Sequence, residues 1–170
     1  MRWYQEGQEA IAVRSVFPEY SVFYYLTQIF DDAENRYKTF KPYEIDAFVP
    51  CIKLGIEYDG YYFHKNRLAQ DIKKNSFLLN KHNVALFRIR EDGLPNIGQC
   101  FVRQRKDNVK NLSFEDNSLS MCILNLLQFI LVNYGKMLNN VQASAIKRTM
   151  QTINVPKEKE QILKQYIERF

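Results

Sequence analysis

The spacing of apolar and polar residues divides the chain into helical and extended segments. Steps of three and four residues between apolar positions indicate helices, and strict alternation indicates strands. Proline, glycine and paired acids mark the breaks between segments. The predicted elements, in chain order, are a helix at 18–30, strands at 34–38, 43–49 and 52–59, a helix at 66–81, a strand at 84–90, and helices at 119–134 and 156–170.

This order predicts an α/β fold. The elements run α-β-β-β-α-β and are followed by C-terminal helices, which is typical of α/β or α+β domains. A polar, basic stretch at 96–117 separates the two parts. We therefore predict a core at 16–98, a basic connecting loop at 99–117, and a helical region at 118–170 that packs on the core.

Two of the predicted helices have informative faces. The helix at 66–81 carries one apolar stripe, which we expect to be buried, and one polar stripe. The helix at 119–134 is apolar nearly all round, but its polar interruptions and its length below the ~20 residues that a bilayer needs favour a buried support. In the helix at 66–81, the apolar stripe comprises Leu68, Ile72 and Leu79, and the polar stripe comprises Arg67, Asp71 and Lys74. In the helix at 119–134, the polar interruptions are Asn125 and Gln128.

Composition narrows the class of protein. With 170 residues, 46% hydrophobic and 25% charged, the chain is neither disordered nor fibrous. Its net charge of +5 suits a nucleic acid or another anionic partner, although solubility alone would also explain it. The three cysteines form no C-x-x-C motif, which argues against a disulfide framework and against a zinc site. Residues 1–10 contain no apolar run, so we expect no secretory signal there. We expect a cytoplasmic protein.

Acidic residues concentrate on one face of the predicted hairpin. A two-residue turn at Pro50-Cys51 would place Ile45 opposite Ile56 and Asp46 opposite Gly55. Asp46, Glu57 and Asp59 then share a face, since alternate residues of a strand do. Crowded carboxylates repel one another unless a cation lies between them, and oxygen ligands suit Mg²⁺ or Mn²⁺. A solvated acidic face is the alternative interpretation.

Five sequence fragments resemble one nuclease superfamily. They are FPEY (17–20), EIDAFVP (44–50), GIEYDGYYFH (55–64), DIKKN (71–75) and FRIREDGLP (87–95). In this order they resemble the PD-(D/E)XK nuclease superfamily, and most of all its branch of very-short-patch repair endonucleases and treble-clef-associated nuclease domains. The resemblance covers residues 16–95 and implies a restriction-endonuclease-like core.

The resemblance also assigns site residues. It makes Asp46 and Glu57 metal ligands, and Asp59 stands where the common pattern has lysine. Either Asp59 is then a third acidic ligand, or a cation from elsewhere takes over the role of the lysine. Lys74 on the following helix is the natural substitute for the third-strand lysine. His64 resembles a histidine that lies near the site in relatives of this branch. Glu19 resembles an acid that many members of the superfamily carry on the first helix. As alternatives, Lys74 and His64 are ordinary surface residues, and Glu19 is a first-turn glutamate favoured by the helix dipole.

The activity implied is hydrolysis of DNA by a Mg²⁺-dependent (or Mn²⁺-dependent) endonuclease. Basic residues would bind backbone phosphates, and aromatic residues after the hairpin would stack on bases or cover the hairpin. The C-terminal helices would support a homodimer or a larger defence, repair or mobile-element assembly. The basic residues are Lys65, Arg67, Lys73, Arg88 and Arg90, and the aromatic residues are Tyr58, Tyr61, Tyr62 and Phe63.

Two other functions remain open from the sequence. The missing third-strand lysine is compatible with a catalytically inactive nucleic-acid- or partner-binding module that retains the nuclease fold. A structural α/β domain with a solvated acidic hairpin is the remaining interpretation. Metal-dependent cleavage of DNA separates the first function from both alternatives.

Overall fold

The computed structural model describes residues 7–104 and 117–169, with side chains from residue 16 onward. Within this part of the chain, five strands and six α-helices form an α/β fold with a mixed sheet. The helices are α1 (Gly7–Thr27), α2 (Tyr61–His64), α3 (Leu68–His82), α4 (Ser118–Tyr134), α5 (Asn140–Thr152) and α6 (Val155–Arg169). The strands are β1 (Glu34–Tyr37), β2 (Ile45–Val49), β3 (Leu54–Asp59), β4 (Ala85–Glu91) and β5 (Gln99–Arg103).

The strands lie in the sheet in chain order. The pairs β1–β2 and β2–β3 are antiparallel, and β3–β4 and β4–β5 are parallel. Antiparallel neighbours need only short turns, whereas the parallel pair β3–β4 requires a crossover, which α2 and α3 provide. The crossover places α3 beside the ends of β3 and β4, where the acidic residues lie.

The apolar side of the sheet forms the main core. Side chains of β2, β3 and β4 pack there against α1, α4, α5 and α6 in a single cluster. The C-terminal helices are thus part of one core with the sheet. The most deeply buried members include Phe23, Leu26, Ile56, Ile89, Ile123, Leu126, Ile146 and Ile162.

The helix α4 was predicted as a buried support. By length and composition alone, Ser118–Met137 is apolar enough to cross a membrane. Seven residues of α4 are buried in the core, whereas Met121 and Val132 are exposed, so the helix supports the core with one part of its circumference.

The hairpin register differs from the prediction by two residues. Ala47 pairs with Ile56 and Phe48 with Gly55, because the connection is longer than two residues. Pro50–Ile52 forms a short 3₁₀ helix, and Lys53 has a left-handed φ of 50°. The two-residue turns that suit hairpins need a positive φ at their first or both central positions, which Pro50 cannot adopt. A shift of two residues preserves the faces, so the acids still share one side.

Other element boundaries also differ from the sequence prediction. Helix α1 begins at Gly7 and contains Pro18 in its interior, so Glu19 is not a first-turn residue. Strand β5 lies within the predicted connecting loop, and α5 was not predicted. The basic residues at 105–110 of the predicted loop lie outside the described residues.

The orientation of α3 is the reverse of the prediction. The stripe expected in the core is exposed, with exposures of 40% for Leu68, 46% for Ile72 and 52% for Leu79. Asp71 is buried instead, together with Leu78. The face of the sheet beneath α3 carries charged residues of β3 and β4, and buried charges must be paired. Asp71 and Lys74 of the polar stripe therefore face the sheet, whereas Arg67 stays exposed.

Candidate functional site

A cleft of about 430 Å³ opens where α1 meets the acidic ends of β2 and β3. Residues of α1 line one part of it, and the segment from Gly60 to Arg67 lines another. The lining residues are Val16, Pro18, Glu19, Arg36, Asp46, Glu57, Tyr58, Gly60, Tyr61, Tyr62, Phe63, His64, Arg67 and Glu91. The cleft contains three of the acids singled out in the sequence.

Asp46 and Glu57 contact each other across the β2–β3 pair. The register that joins Ala47 to Ile56 places these two residues side by side. The backbone N–H of Asp46 donates to Oε1 of Glu57 at 3.3 Å, and the N–H of Tyr58 donates to Oδ2 of Asp46 at 2.8 Å. Backbone donors on adjacent rigid strands therefore fix both carboxylates.

Glu19 reaches the same cleft from α1. Its carboxylate lies 3.7 Å from Nε of Arg36, which also lies 3.2 Å from Oε1 of Glu44. Burial raises the pKa of Glu19 to about 7, and the Arg36 charge opposes this increase. The helix thus adds a third carboxylate to the pair on the hairpin.

The other two carboxyl groups of the cleft also have raised pKa values. Burial, followed by the negative charge of Glu19, raises the pKa of Asp46 to about 7. Burial, followed by the charge of Asp46, raises the pKa of Glu57 to about 8. Each acid opposes ionisation of its neighbour, so a bound cation would favour the charged forms of all three at neutral pH.

Asp46→Asn is expected to stabilise the metal-free protein at pH 8. A carboxyl group whose pKa rises on folding contributes stability below its unfolded pKa of 3.8, and this stability is lost as the pH rises through about 7. Asparagine does not ionise, and its oxygen can still accept the Tyr58 N–H. We expect a gain of at least about 1 kcal/mol, since one pKa unit is about 1.4 kcal/mol.

Urea unfolding in EDTA at pH 5 and pH 8 measures this effect. Glu168→Gln is the control, because Glu168 lies on α6 with 65% of its side chain exposed. The control should change stability equally at both pH values. If Asp46→Asn were equally destabilising at both, the carboxyl cluster would not carry the pH dependence.

Lys74 extends from α3 to the acid pair. Its Nζ lies 2.6 Å from Oε2 of Glu57, and only 15% of its side chain is exposed. The sequence suggested Lys74 as the substitute for the missing strand lysine, and the fold brings its ammonium group to Glu57. The solvated-surface interpretation of this lysine is therefore wrong.

Asp59 lies in a buried ion network. Its carboxylate accepts hydrogen bonds from Nη1 of Arg88 at 2.7 and 2.9 Å and from Nη1 of Arg90 at 2.6 Å. All three residues are 0% exposed. Two guanidinium groups already supply the positive charge that a metal would bring to this carboxylate. Asp59 shares the sheet face with Glu57, but its position favours a structural role.

His64 pairs with a buried acid that the sequence interpretation did not assign to the site. Its Nδ1 lies 2.9 Å from Oδ2 of Asp71 and 3.5 Å from Oδ1 of Asp59. Asp59, His64 and Asp71 offer three potential ligand atoms within 4.8 Å of one another. A cation there would compete with Arg88 and Arg90, so the arginines make this group a poor metal site.

The predicted nucleic-acid contacts divide into two sets. Lys65, Arg67 and Lys73 are exposed, as phosphate-binding residues must be. Arg88 and Arg90 have no exposed surface, so the prediction that they contact a phosphate is not supported by their position. The alternating pattern of β4 could have indicated this, because it places both arginines on one face of a central strand.

The aromatic residues at the end of the hairpin and just after it also divide into two sets. The Tyr58 hydroxyl donates to Oε1 of Glu91 at 2.9 Å and accepts from Nη1 of Arg103 at 2.7 Å. Tyr58 therefore belongs to the structural support of the sheet. Tyr62 and Phe63 are 71% and 67% exposed at the cleft. They do not cover the hairpin, which was one of the two interpretations.

Comparison with known proteins gives no relative to this chain. No family model, curated protein or solved structure matches it.

Proposed function

We propose that this chain is a metal-dependent phosphodiesterase that hydrolyses DNA internally, with a PD-(D/E)XK-like core. The observation that carries the proposal is the contact of Lys74 with Glu57 beside Asp46. Two carboxylates and a lysine are the residue types of the superfamily motif, and here the lysine comes from a helix instead of the third strand.

The donor types in the cleft suit a divalent metal, although among the described residues only Asp59, His64 and Asp71 bring three potential ligand atoms within 4.8 Å of one another. Glu19, Asp46 and Glu57 present oxygen ligands whose raised pKa values reflect burial and mutual repulsion. Mg²⁺ and Mn²⁺ favour carboxylate oxygens and retain water molecules. We assign these three residues as the ligands and omit Asp59, because its charge is already neutralised by two arginines.

When bound, such an ion would polarise a phosphate oxygen and lower the pKa of a bound water. Lys74 would hold positive charge beside Glu57, where the phosphate gains negative charge during attack. His64 lines the cleft and is held at Nδ1 by Asp71. Its Nε2 would accept or release a proton there.

The order of elements supports the same assignment. The α-β-β-β-α-β order of the superfamily core occurs here from α1 to β4, with the short α2 added before α3. The carboxylate pair comes from neighbouring strands, and the lysine comes from the crossover helix. Rigid elements carry each of these residues, as a preorganised catalytic site requires.

The test is cleavage of supercoiled plasmid by the purified protein. We expect conversion to nicked and linear DNA with Mg²⁺ or Mn²⁺ and none with EDTA. Asp46→Asn, purified in parallel, is the control for contaminating nucleases, since it changes one ligand and keeps the acceptor for the Tyr58 N–H. Binding of DNA without cleavage under any metal would favour the inactive binding module instead.

A further inference from the structure

Arg36 has an unusual backbone conformation for its place in the fold. Its φ is 52°, although it lies in the edge strand β1. The other two non-glycine residues with positive φ in the described chain, Lys53 and Asn83, follow helices, where this conformation is ordinary. A strand residue in this region costs on the order of 1 kcal/mol or more, and such strain clusters at functional sites.

The distortion occurs beside the acid pair. Asn35 pairs with Ala47 and Tyr37 with Ile45, so the register places Arg36 next to Asp46. Arg36 lines the cleft together with Glu19, Asp46 and Glu57. Its side chain is 49% exposed, so the guanidinium group stands at the mouth of the cleft.

The contacts of Arg36 in the structure are with carboxylates. Nε lies 3.2 Å from Glu44 and 3.7 Å from Glu19. The pair with Glu44 is largely exposed to solvent and contributes little to stability, with a typical value of about 0–1 kcal/mol. The pair with Glu19 opposes the increase in the pKa of that acid, but it still leaves half of the Arg36 side chain exposed at the cleft.

We propose that Arg36 binds a backbone phosphate of the nucleic acid at the mouth of the cleft. The planar guanidinium group matches a phosphate with two parallel hydrogen bonds, which lysine does not provide. Half of the Arg36 side chain is exposed, so a phosphate can approach the guanidinium group from solvent. This inference rests on the proposed function, because the phosphate would belong to the DNA that the cleft cleaves.

The test is binding of a fluorescent duplex in EDTA, measured by anisotropy between 50 and 200 mM salt. Arg36→Asn should weaken binding about tenfold and lower the slope of log K against log salt by about 1. Asparagine tolerates positive φ, so the fold should be retained, and circular dichroism checks this. Arg36→Lys should keep the salt slope and lose part of the affinity.

Lys38→Asn is the matched control. Lys38 follows β1, has a side chain that is 71% exposed and contacts Glu44, but it is not among the residues that line the cleft. The Lys38→Asn variant should change the affinity for the duplex less than twofold. Equal affinities and salt slopes for wild type and a folded Arg36→Asn variant would overturn the inference.

The outcome is separable from that of the proposed function. If Arg36→Asn weakens binding as expected while the wild type cleaves no DNA, the phosphate site stands and the nuclease assignment is wrong. If the wild type cleaves DNA and Arg36→Asn binds it normally, only the phosphate site is wrong.

Discussion

Lys74→Ala is expected to lower the single-turnover rate of DNA cleavage about 10²–10³-fold with saturating Mg²⁺ or Mn²⁺. Removing one preorganised charge that acts on the transition state typically has this effect. Lys74 is 15% exposed and 2.6 Å from Glu57, so its ammonium group is held in place and partly shielded from water. The measurement uses fluorescent duplex and single-stranded substrates with enzyme in excess.

Lys81→Ala is the matched control on the same helix. Lys81 is exposed and lies over the ring of Phe77, with 5.4 Å from its Nζ to the ring centroid. Its loss should change binding and salt dependence more than the cleavage rate. Near-wild-type cleavage by Lys74→Ala would remove Lys74 from the mechanism and leave His64 as the candidate.

Asp59→Ala is expected to destabilise the protein by about 3–5 kcal/mol. Breaking a buried ion pair by removing one partner has a cost of this size, because the remaining charge stays buried without compensation. Here two arginines would lose their closest acid, and both are 0% exposed. Nε and Nη2 of Arg90 have no hydrogen-bond partner within the described residues, which makes its pairing with Asp59 more important.

Urea unfolding of Asp59→Ala measures the effect, and calorimetric titration with Mn²⁺ separates the two roles of the residue. Asp59→Asn keeps the shape of the side chain and one hydrogen-bond acceptor, so it should lower the free energy of unfolding less than Asp59→Ala does. Adding Arg90→Met to Asp59→Ala should recover part of the lost stability, because it removes a buried charge that has lost its partner. A stable Asp59→Ala variant that no longer binds Mn²⁺ would restore Asp59 as a metal ligand.

The acidic face could be predicted because it depends only on alternation. A strand places residues two apart on the same side, whatever its partners are. Asp46 and Glu57 therefore share a face in either hairpin register, and the error of two residues left this result intact. Their direct contact could not be predicted, since it depends on the 3₁₀ helix at Pro50–Ile52.

The orientation of α3 could not be predicted from its own sequence. Its apolar stripe was the natural candidate for burial, but the opposite face is buried. The deciding factor is the pair of arginines on β4, whose burial requires acids nearby. Asp71 and Asp59 provide them, from a helix and from a neighbouring strand. The apolar period of one helix carries no information about the charges on a neighbouring strand.

Arg36 and Asp71 were not assigned to the site from the sequence for a related reason. Arg36 lies in a short polar strand whose pattern does not show which residue faces Asp46. The antiparallel register with β2 supplies this information. Asp71 was recognised as a polar-stripe residue, but its partner His64 comes from a separate short helix.

The sequence by itself determined the element types of the core, the shared face of the three hairpin acids, and the presence of Lys74 on the following helix. These features depend on short-range periodicity, which the backbone geometry of strands and helices imposes. Only the tertiary structure decided which acid stays in the cleft and which is neutralised. Glu57 meets Lys74 and Asp59 meets Arg88 and Arg90, because the parallel pairing of β3 with β4 and the crossover by α3 bring these charges together.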